Sequence, residues 1–219
     1  MGKKILEFEH VESKTGKFKL QDIHFELPAG YIMGLMGKNG SGKTTLLNYI
    51  LGQVTAYHGS IRIEGNEITK DSGYFRNKIG FVSEENQFFG TMSTYRNAEI
   101  LACFYDDLDL SLFEEMMGKM EISLEAKYGN LSRGEKLKFQ MAFAMAHHPV
   151  LYLLDEVTVG MDPVYRAEFF ELLQEVIRDE TASVLMTSHI ESEMKRKTDY
   201  LGILEEGKLV AFGESLDIL

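Results

Sequence analysis

A glycine-rich loop between an apolar segment and a predicted helix limits the possible folds of this chain more than any other feature. The loop occupies residues 37–44, after the apolar residues 31–36 and before a predicted helix over residues 44–51. Its residues match the pattern G-x-x-x-x-G-K-[ST], in which consecutive backbone N–H groups surround phosphate oxygens. Because the pattern stands between a buried strand and a helix, the sequence predicts an α/β domain that binds a nucleoside triphosphate.

The loop and the start of the helix supply the predicted phosphate contacts. We expect Lys43 to reach the β- and γ-phosphates and the Thr44 hydroxyl to bind Mg²⁺. The helix beginning near Gly42 adds the positive end of its dipole. The complete predicted set is Gly37, Lys38, Asn39, Gly40, Ser41, Gly42, Lys43, Thr44 and Thr45.

A second apolar segment, residues 151–154, ends in the adjacent acids Asp155 and Glu156. A strand buried on both faces cannot hold two neighbouring carboxylates, so we expect them at its carboxyl end, where open α/β sheets bind ligands. Asp155 suits the outer coordination shell of Mg²⁺, and Glu156 suits a base that polarises the attacking water.

Two further segments carry groups suited to phosphate. Residues 131–135 predict a helix that begins with a capping box between Ser132 and Glu135. The Ser132 hydroxyl and the small Gly134 also suit anion binding at this helix N-terminus, so capping alone and anion binding both remain open. His189 follows a predicted strand, residues 183–187, where we expect it to contact the γ-phosphate or the attacking water. The other five histidines are expected to be structural or exposed.

The composition excludes several classes of protein. Acidic residues outnumber basic ones, 34 to 23, and the formal charge of −11 argues against a dedicated nucleic-acid binder. Cys103 is the only cysteine, so no intrachain disulfide can form and a reducing cytoplasm fits. The sequence has neither a secretory signal nor the roughly 20 consecutive apolar residues of a membrane-spanning helix.

The order of elements predicts the fold. Short strands are expected at residues 5–9, 18–20, 24–27, 61–63 and 78–82, and a terminal hairpin at residues 200–212. Residues 84–135 are rich in Met, Leu and Phe at helical spacing and predict a helical insertion. Alternating strands and helices elsewhere, with Asp162 and Pro163 opening one helix, indicate a mainly parallel sheet.

Together these motifs resemble the nucleotide-binding subunit of ATP-binding cassette (ABC) transporters over essentially the whole chain. The resemblance implies an α/β P-loop NTPase core with a mainly parallel sheet, an N-terminal antiparallel β side sheet and an inserted α-helical subdomain. We expect one ABC ATPase domain over residues 1–219, with the core at 1–83 and 136–219 and the helical subdomain at 84–135. It also implies Mg²⁺-dependent ATP hydrolysis, with Glu156 and His189 as catalytic residues.

The resemblance further implies two partners. A second nucleotide-binding subunit, in a homodimer or a heterodimer, would hold ATP against Ser132 and Gly134. A separate membrane-spanning permease would carry the substrate, most similarly to bacterial exporters of antibiotics or peptides, with this chain in the cytoplasm on the inner face of the membrane. The alternative is a soluble ABC ATPase of a scaffold or cluster-assembly complex. A catalytically dead subunit is disfavoured because all the catalytic positions are present.

Several positions depart from the family pattern. Arg133 stands where the signature has a glycine, and we expect its side chain to point away from the site. Glu84 replaces the glutamine that follows the third core strand; it could bind Mg²⁺ as a charged ligand, with Gln87 as a weaker substitute. The adenine-stacking aromatic is expected to be Phe18, Tyr31 or neither.

Overall fold

Ten strands form two sheets in the part of the chain that the structure describes, residues 2–16, 18–68, 73–85 and 87–218 of a computed structural model. The strands are β1 (Lys4–Ser13), β2 (Ile23–Pro28), β3 (Ile32–Met36), β4 (Tyr57–Ile63), β5 (Asn66–Glu67), β6 (Ile79–Ser83), β7 (Leu151–Asp155), β8 (Ser183–Ser188), β9 (Tyr200–Glu205) and β10 (Lys208–Glu214). The helices are α1 (Lys43–Ile50), α2 (Gly73–Lys78), α3 (Thr94–Ala102), α4 (Leu110–Lys119), α5 (Arg133–Met145), α6 (Pro163–Ile177), α7 (Glu191–Lys197) and α8 (Ser215–Ile218), with a 3₁₀ turn at Tyr128–Asn130.

The larger sheet has the strand order β10-β9-β3-β8-β7-β6 and is parallel except for the edge strand β10. Its central strands are buried on both faces because apolar side chains alternate between two clusters. In β7, Leu151 and Leu153 face the cluster with α1 and the smaller sheet, whereas Tyr152 and Leu154 face the cluster with α6. The predicted parallel sheet is confirmed.

The smaller sheet, β2-β1-β4-β5, is antiparallel throughout. It packs over α1 and one face of the larger sheet, and the stacked rings of Phe8 and Phe25, 4.7 Å apart, lie in this layer. The predicted antiparallel side sheet is therefore confirmed.

A third apolar cluster lies among α3, α4 and α5. Phe139 of α5 is fully buried at its centre. Its ring centroid lies 4.9–6.5 Å from those of four other aromatic residues, Phe88, Phe113, Tyr128 and Phe143. Its side chains come both from the predicted helical insertion and from α5 beyond residue 135, and the division at residues 84 and 135 stays a prediction.

One predicted element is wrong. Residues 18–20 form no strand in the described part of the chain, because the backbone of Leu20 is hydrogen-bonded to Ser13 instead. The Leu20 N–H donates to the Ser13 hydroxyl at 2.8 Å, and the Leu20 carbonyl accepts from the Ser13 N–H at 3.0 Å. Within the predicted helical insertion, Asp109 accepts hydrogen bonds from Ser111 and Leu112 and begins α4. Phe104 lies in the turn between α3 and α4 and is 57% exposed.

None of the described helices is long and apolar enough to span a membrane.

Replacing Phe139 with alanine should lower the free energy of unfolding by about 3–5 kcal/mol, because a large buried ring is replaced by a cavity. Urea titration measures this change. Phe104→Ala removes an equally large but exposed ring and should cost about 0.5 kcal/mol or less. Equal losses from the two variants would contradict the assignment of the cluster's centre to Phe139.

Candidate nucleotide-binding site

The register of the parallel strands brings four strand ends to one edge of the larger sheet. Met36 pairs with Ser188, Thr187 pairs with Asp155, and Asp155 pairs with Ser83. The residues that follow these strands therefore leave the sheet at the same edge. They are Gly37, Glu84, Glu156 and His189.

The loop after β3 depends on two glycines. A Cβ on Gly37 would lie 2.3 Å from Ser41 Oγ and 2.5 Å from the Leu204 carbonyl oxygen. Gly42 has a φ of 112°, in the left-handed region, and a Cβ there would lie 2.6 Å from the Phe18 ring. The Phe18 ring therefore packs directly against the loop.

Lys43, the first residue of α1, is buried with its charge held by neighbouring oxygens. Its Nζ donates to the Gly37 carbonyl at 2.8 Å and lies 3.3 Å from Glu156 Oε1. Ser41 Oγ is also buried and has no hydrogen-bond partner among the described residues. A cation and an unpaired hydroxyl in one glycine loop at a helix N-terminus are groups that bind phosphate.

Both carboxylate oxygens of Asp155 are held by threonine hydroxyls. Thr187 Oγ1 donates to Oδ1 at 2.6 Å, and Thr44 Oγ1 donates to Oδ2 at 3.3 Å. The Thr187 oxygen also accepts the backbone N–H of Glu156 at 3.0 Å. One buried hydroxyl thus orients both acids at the end of β7.

Glu156 has a strained backbone. Its φ of 52° lies in the left-handed region, which is uncommon for a residue with a side chain and is often retained at functional sites. Its Oε2 lies 3.9 Å from His189 Nδ1, too long for a hydrogen bond. Glu156 therefore stands between Lys43 and His189.

A pocket of about 600 Å³ opens at this edge. Ten predicted residues line it: Phe18, Asn39, Gly40, Gly42, Lys43, Thr44, Thr45, Glu84, Asp155 and Glu156. Gly37, Lys38 and Ser41 complete the same loop, in which the Ser41 N–H donates to the Lys38 carbonyl at 3.0 Å.

The structure does not bring Ser132 and Gly134 into this pocket. The predicted capping box is present, with 3.3 Å from the Glu135 N–H to Ser132 Oγ and 2.7 Å from the Ser132 N–H to Glu135. The pKa of Glu135 is lowered from its usual value, mainly by a hydrogen bond with the Ser132 hydroxyl and to a smaller extent by one with the Ser132 backbone N–H. Gly134 lines a separate groove with Met161 and Tyr165.

Three expectations about departures from the family pattern need correction. Arg133 does not point away: it lines the pocket and pairs with Glu84. Gln87 lies outside the pocket lining. Tyr31 precedes the amino end of β3, about 16 Å of strand from the loop at its carboxyl end, and packs on Tyr200 at 5.3 Å, so it cannot contact the base.

Sequence reasoning missed Thr187 as an orienting residue. A threonine at the buried end of a strand was the available signal, but the register that sets it opposite Asp155 is a tertiary feature.

The oxygen donors fit Mg²⁺ bound together with a nucleotide. Thr44 and Asp155 present neighbouring oxygens, and Glu84 faces the same pocket. Among the described residues no group of three or more His, Cys, Asp or Glu side chains could hold a metal alone. Mg²⁺ at nucleotide sites is generally bound by one or two protein oxygens and completed by phosphates and water.

The fold and this edge define a P-loop NTPase domain. Residues 20–159 match the family model described as ABC transporter. The chain is 34% identical over 194 residues to the ABC transporter ATP-binding protein YtrB of Bacillus subtilis (strain 168), covering 89% of this chain and 66% of YtrB. It is 30% identical over 190 residues to the bacitracin transport ATP-binding protein BcrA of Bacillus licheniformis, covering 86% of this chain and 62% of BcrA.

A solved structure described as the ATP binding subunit of an ABC transporter superposes with a TM-score of 0.86 at 25% identity, covering 97% of this chain and 90% of that one. The chain belongs to the ABC transporter family, as an ATP-binding domain, and domains of this kind are ATPases. The resemblance and fold class inferred from the motifs are therefore confirmed. The chain spans about two thirds of the length of the curated relatives it matches.

Replacing Thr187 with valine should leave the Glu156 N–H unpaired and free one Asp155 oxygen. We expect a loss of about 1–3 kcal/mol in unfolding free energy and a higher Mg²⁺ requirement for ADP binding. Urea titration and a Mg²⁺ titration of nucleotide binding measure the two effects.

Thr94→Val is the matched control, because its buried hydroxyl donates to the Ser123 and Leu124 carbonyls in the helical region. It should lose stability without changing the Mg²⁺ requirement. If Thr187→Val behaves in the same way, Thr187 does not orient the metal site.

Proposed function

We propose that this chain is the ATP-binding and ATP-hydrolysing motor subunit of an ABC transporter that drives export through a separate membrane subunit. The proposal rests mainly on one observation. Lys43, Asp155 and Glu156 lie close together at one edge of the larger sheet, beside the glycine-rich loop. The relatives' names, which include bacitracin transport, support export. No observation favours the alternative of a soluble scaffold-bound ATPase.

The roles follow from the contacts. Lys43 exchanges its carbonyl and carboxylate partners for β- and γ-phosphate oxygens. Thr44 and Asp155, joined by Glu84, would hold Mg²⁺, which would neutralise charge on the phosphates. Phe18, packed on Gly42 at the pocket wall, is the proposed adenine contact. Glu156 polarises the attacking water, and His189 contacts the γ-phosphate or that water.

The signature residues are proposed to act on ATP held by a second nucleotide-binding subunit. Gly134 has room for a Cβ, whose nearest neighbour would be the Tyr165 ring at 3.7 Å. Internal packing therefore does not require glycine at this position. A close approach of phosphate from outside the chain would require it, and the Ser132 hydroxyl and N-terminal turn of α5 would bind that phosphate.

A groove of about 550 Å³ between α2 and the helical region is the proposed docking surface for the membrane subunit. Aromatic side chains line it, including the exposed Phe104 and the half-buried Tyr105. His147 lies in its lining, stacked on Tyr105 at 4.4 Å, and its Nδ1 has no hydrogen-bond partner among the described residues. Burial lowers the pKa of His147 to about 4, so the ring is neutral and adds no charge to the aromatic wall of the groove.

This function places the chain in the cytoplasm, peripheral on the inner face of the cell membrane, without a nucleic-acid partner. The helical region, residues 84–135, would pass movement from the nucleotide site to the groove.

Glu156→Gln should bind MgATP but nearly stop hydrolysis, and its mass by light scattering should change from monomer to dimer with MgATP. Adding Gly134→Asp should abolish the dimer while leaving ATP binding intact, because a carboxylate fits the exposed helix N-terminus but repels phosphate.

Lys43→Ala should abolish tight MgATP binding.

The controls separate the possible failures. Retained affinity in Lys43→Ala would contradict the phosphate-loop assignment. Substantial hydrolysis by Glu156→Gln would show that Glu156 is not the main base. A dimer that survives Gly134→Asp would contradict the composite site, whereas a chain that stays monomeric with ATP bound would indicate a different cassette chain as partner.

A photo-crosslinking amino acid at Phe104 should form an adduct with an integral membrane protein in the cells that make this chain. The same amino acid at Val210 is the control, since the two side chains are 57% and 54% exposed and Val210 lies on the edge strand β10. Adducts at both positions, or at Val210 alone, would contradict docking in the groove.

A further inference from the structure

Two departures from the family pattern contact each other in this chain. Arg133 Nη2 forms an ion pair with Glu84 Oε1. Glu84 follows Ser83 at the end of β6, and the Ser83 N–H is bound by Gln140 of α5 at 3.0 Å. Helix α5 is therefore tied to the end of β6 twice, through a buried neutral hydrogen bond and through a half-exposed ion pair.

The Arg133 guanidinium also lies against the turn after β7. A Cβ on Gly160, whose φ is 69°, would be only 2.5 Å from Arg133 Nη1. Arg133 lines the same pocket as Lys43, Thr44 and Asp155. Its side chain thus extends from the start of α5 into the chain's own nucleotide site.

The neighbours of Arg133 face elsewhere. Ser132 caps α5, and Gly134 lines the groove beside Tyr165. Three consecutive residues therefore belong to two different sites. Arg133 lies in the chain's own nucleotide pocket, whereas Ser132 and Gly134 lie on the surface that the proposed function assigns to the partner's ATP.

We propose that Arg133 is a positioning residue that holds the Glu84 carboxylate and releases it when a magnesium nucleotide binds in the same chain, so that the signature turn responds to its own site. This inference rests on the proposed function. It adds a regulatory link within one chain between the two composite sites.

The chemistry of one carboxylate supports an exchange. A guanidinium binds both oxygens of a carboxylate, with several N–H donors in a fixed plane. Mg²⁺ requires an oxygen ligand in near-octahedral geometry at short distance. Arg133 pairs with Oε1 of Glu84, and in this proposal the pair opens when the carboxylate turns to join Thr44 and Asp155.

The strength of the pair also suits exchange. The side chains of Arg133 and Glu84 are 44% and 46% exposed, and exposed ion pairs are weak because water screens them. The buried bond between Gln140 and Ser83 does not involve the carboxylate and remains. Loss of the ion pair therefore frees only the first turn of α5, which carries Ser132 and Gly134.

The test is the Mg²⁺ concentration that half-saturates binding of fluorescent ADP, measured where light scattering shows a monomer. ADP lacks the γ-phosphate, so this measurement reports the chain's own site. Arg133→Gln should lower the half-saturating Mg²⁺ concentration about two- to fivefold, the range expected for a weak exposed pair. In the Glu84→Gln background the same substitution should have no effect.

Arg96→Gln is the matched control, because it breaks an exposed pair with Glu99 on α3 that lies outside the pocket lining. It should leave the Mg²⁺ requirement unchanged. A purely structural role for Arg133 would alter unfolding free energy without moving this requirement. Arg133→Lys retains the positive charge but not the planar guanidinium, so it should lower the half-saturating Mg²⁺ concentration by an intermediate amount.

An unchanged Mg²⁺ requirement in Arg133→Gln would overturn the inference, and so would an equal shift in the Glu84→Gln background. Either result leaves the proposed function standing if the unaltered chain binds ADP with Mg²⁺ and Lys43→Ala does not. Failure of the unaltered chain to bind nucleotide would overturn the proposed function itself.

Discussion

The in-register parallel pairing of β3, β8, β7 and β6 is the constraint on which the rest of the site depends. Because the four strands end level with one another, the glycine loop, Glu84, Glu156 and His189 leave the sheet together. The register of these strands is specified because apolar side chains alternate between two buried clusters, one on each face of the sheet. A slip of one residue would move every one of these side chains to the wrong face.

Hydrogen bonds convert this alignment into a defined arrangement of charges. The Thr187 hydroxyl binds Asp155 and the backbone of Glu156, which holds the strained φ of Glu156 in place. Lys43 then lies beside Glu156, where its charge is compensated in a buried setting. These contacts hold a buried cation and two partly exposed carboxylates within reach of a common ligand, which is the arrangement that phosphoryl transfer requires.

Helix α5 joins this site to the rest of the molecule. Its first turn carries the capping box and Arg133, its middle carries Gln140 and Phe139, and its last residues approach the groove lined by His147. One rigid helix thus contacts the nucleotide pocket, the centre of the helical cluster and the proposed docking surface. A small change at either end can reach the other because packed helices move as units.

The sequence by itself determined the phosphate loop, the two acids after an apolar strand, the capping box and the fold class, because each depends on residues close in the chain. Glycine spacing, strand alternation and cap chemistry are local properties. Tertiary structure alone decided that Arg133 meets Glu84 and that Thr187 orients Asp155. Each of these depends on pairing between segments that are distant in sequence, and register and side-chain direction are set by packing rather than by local preference.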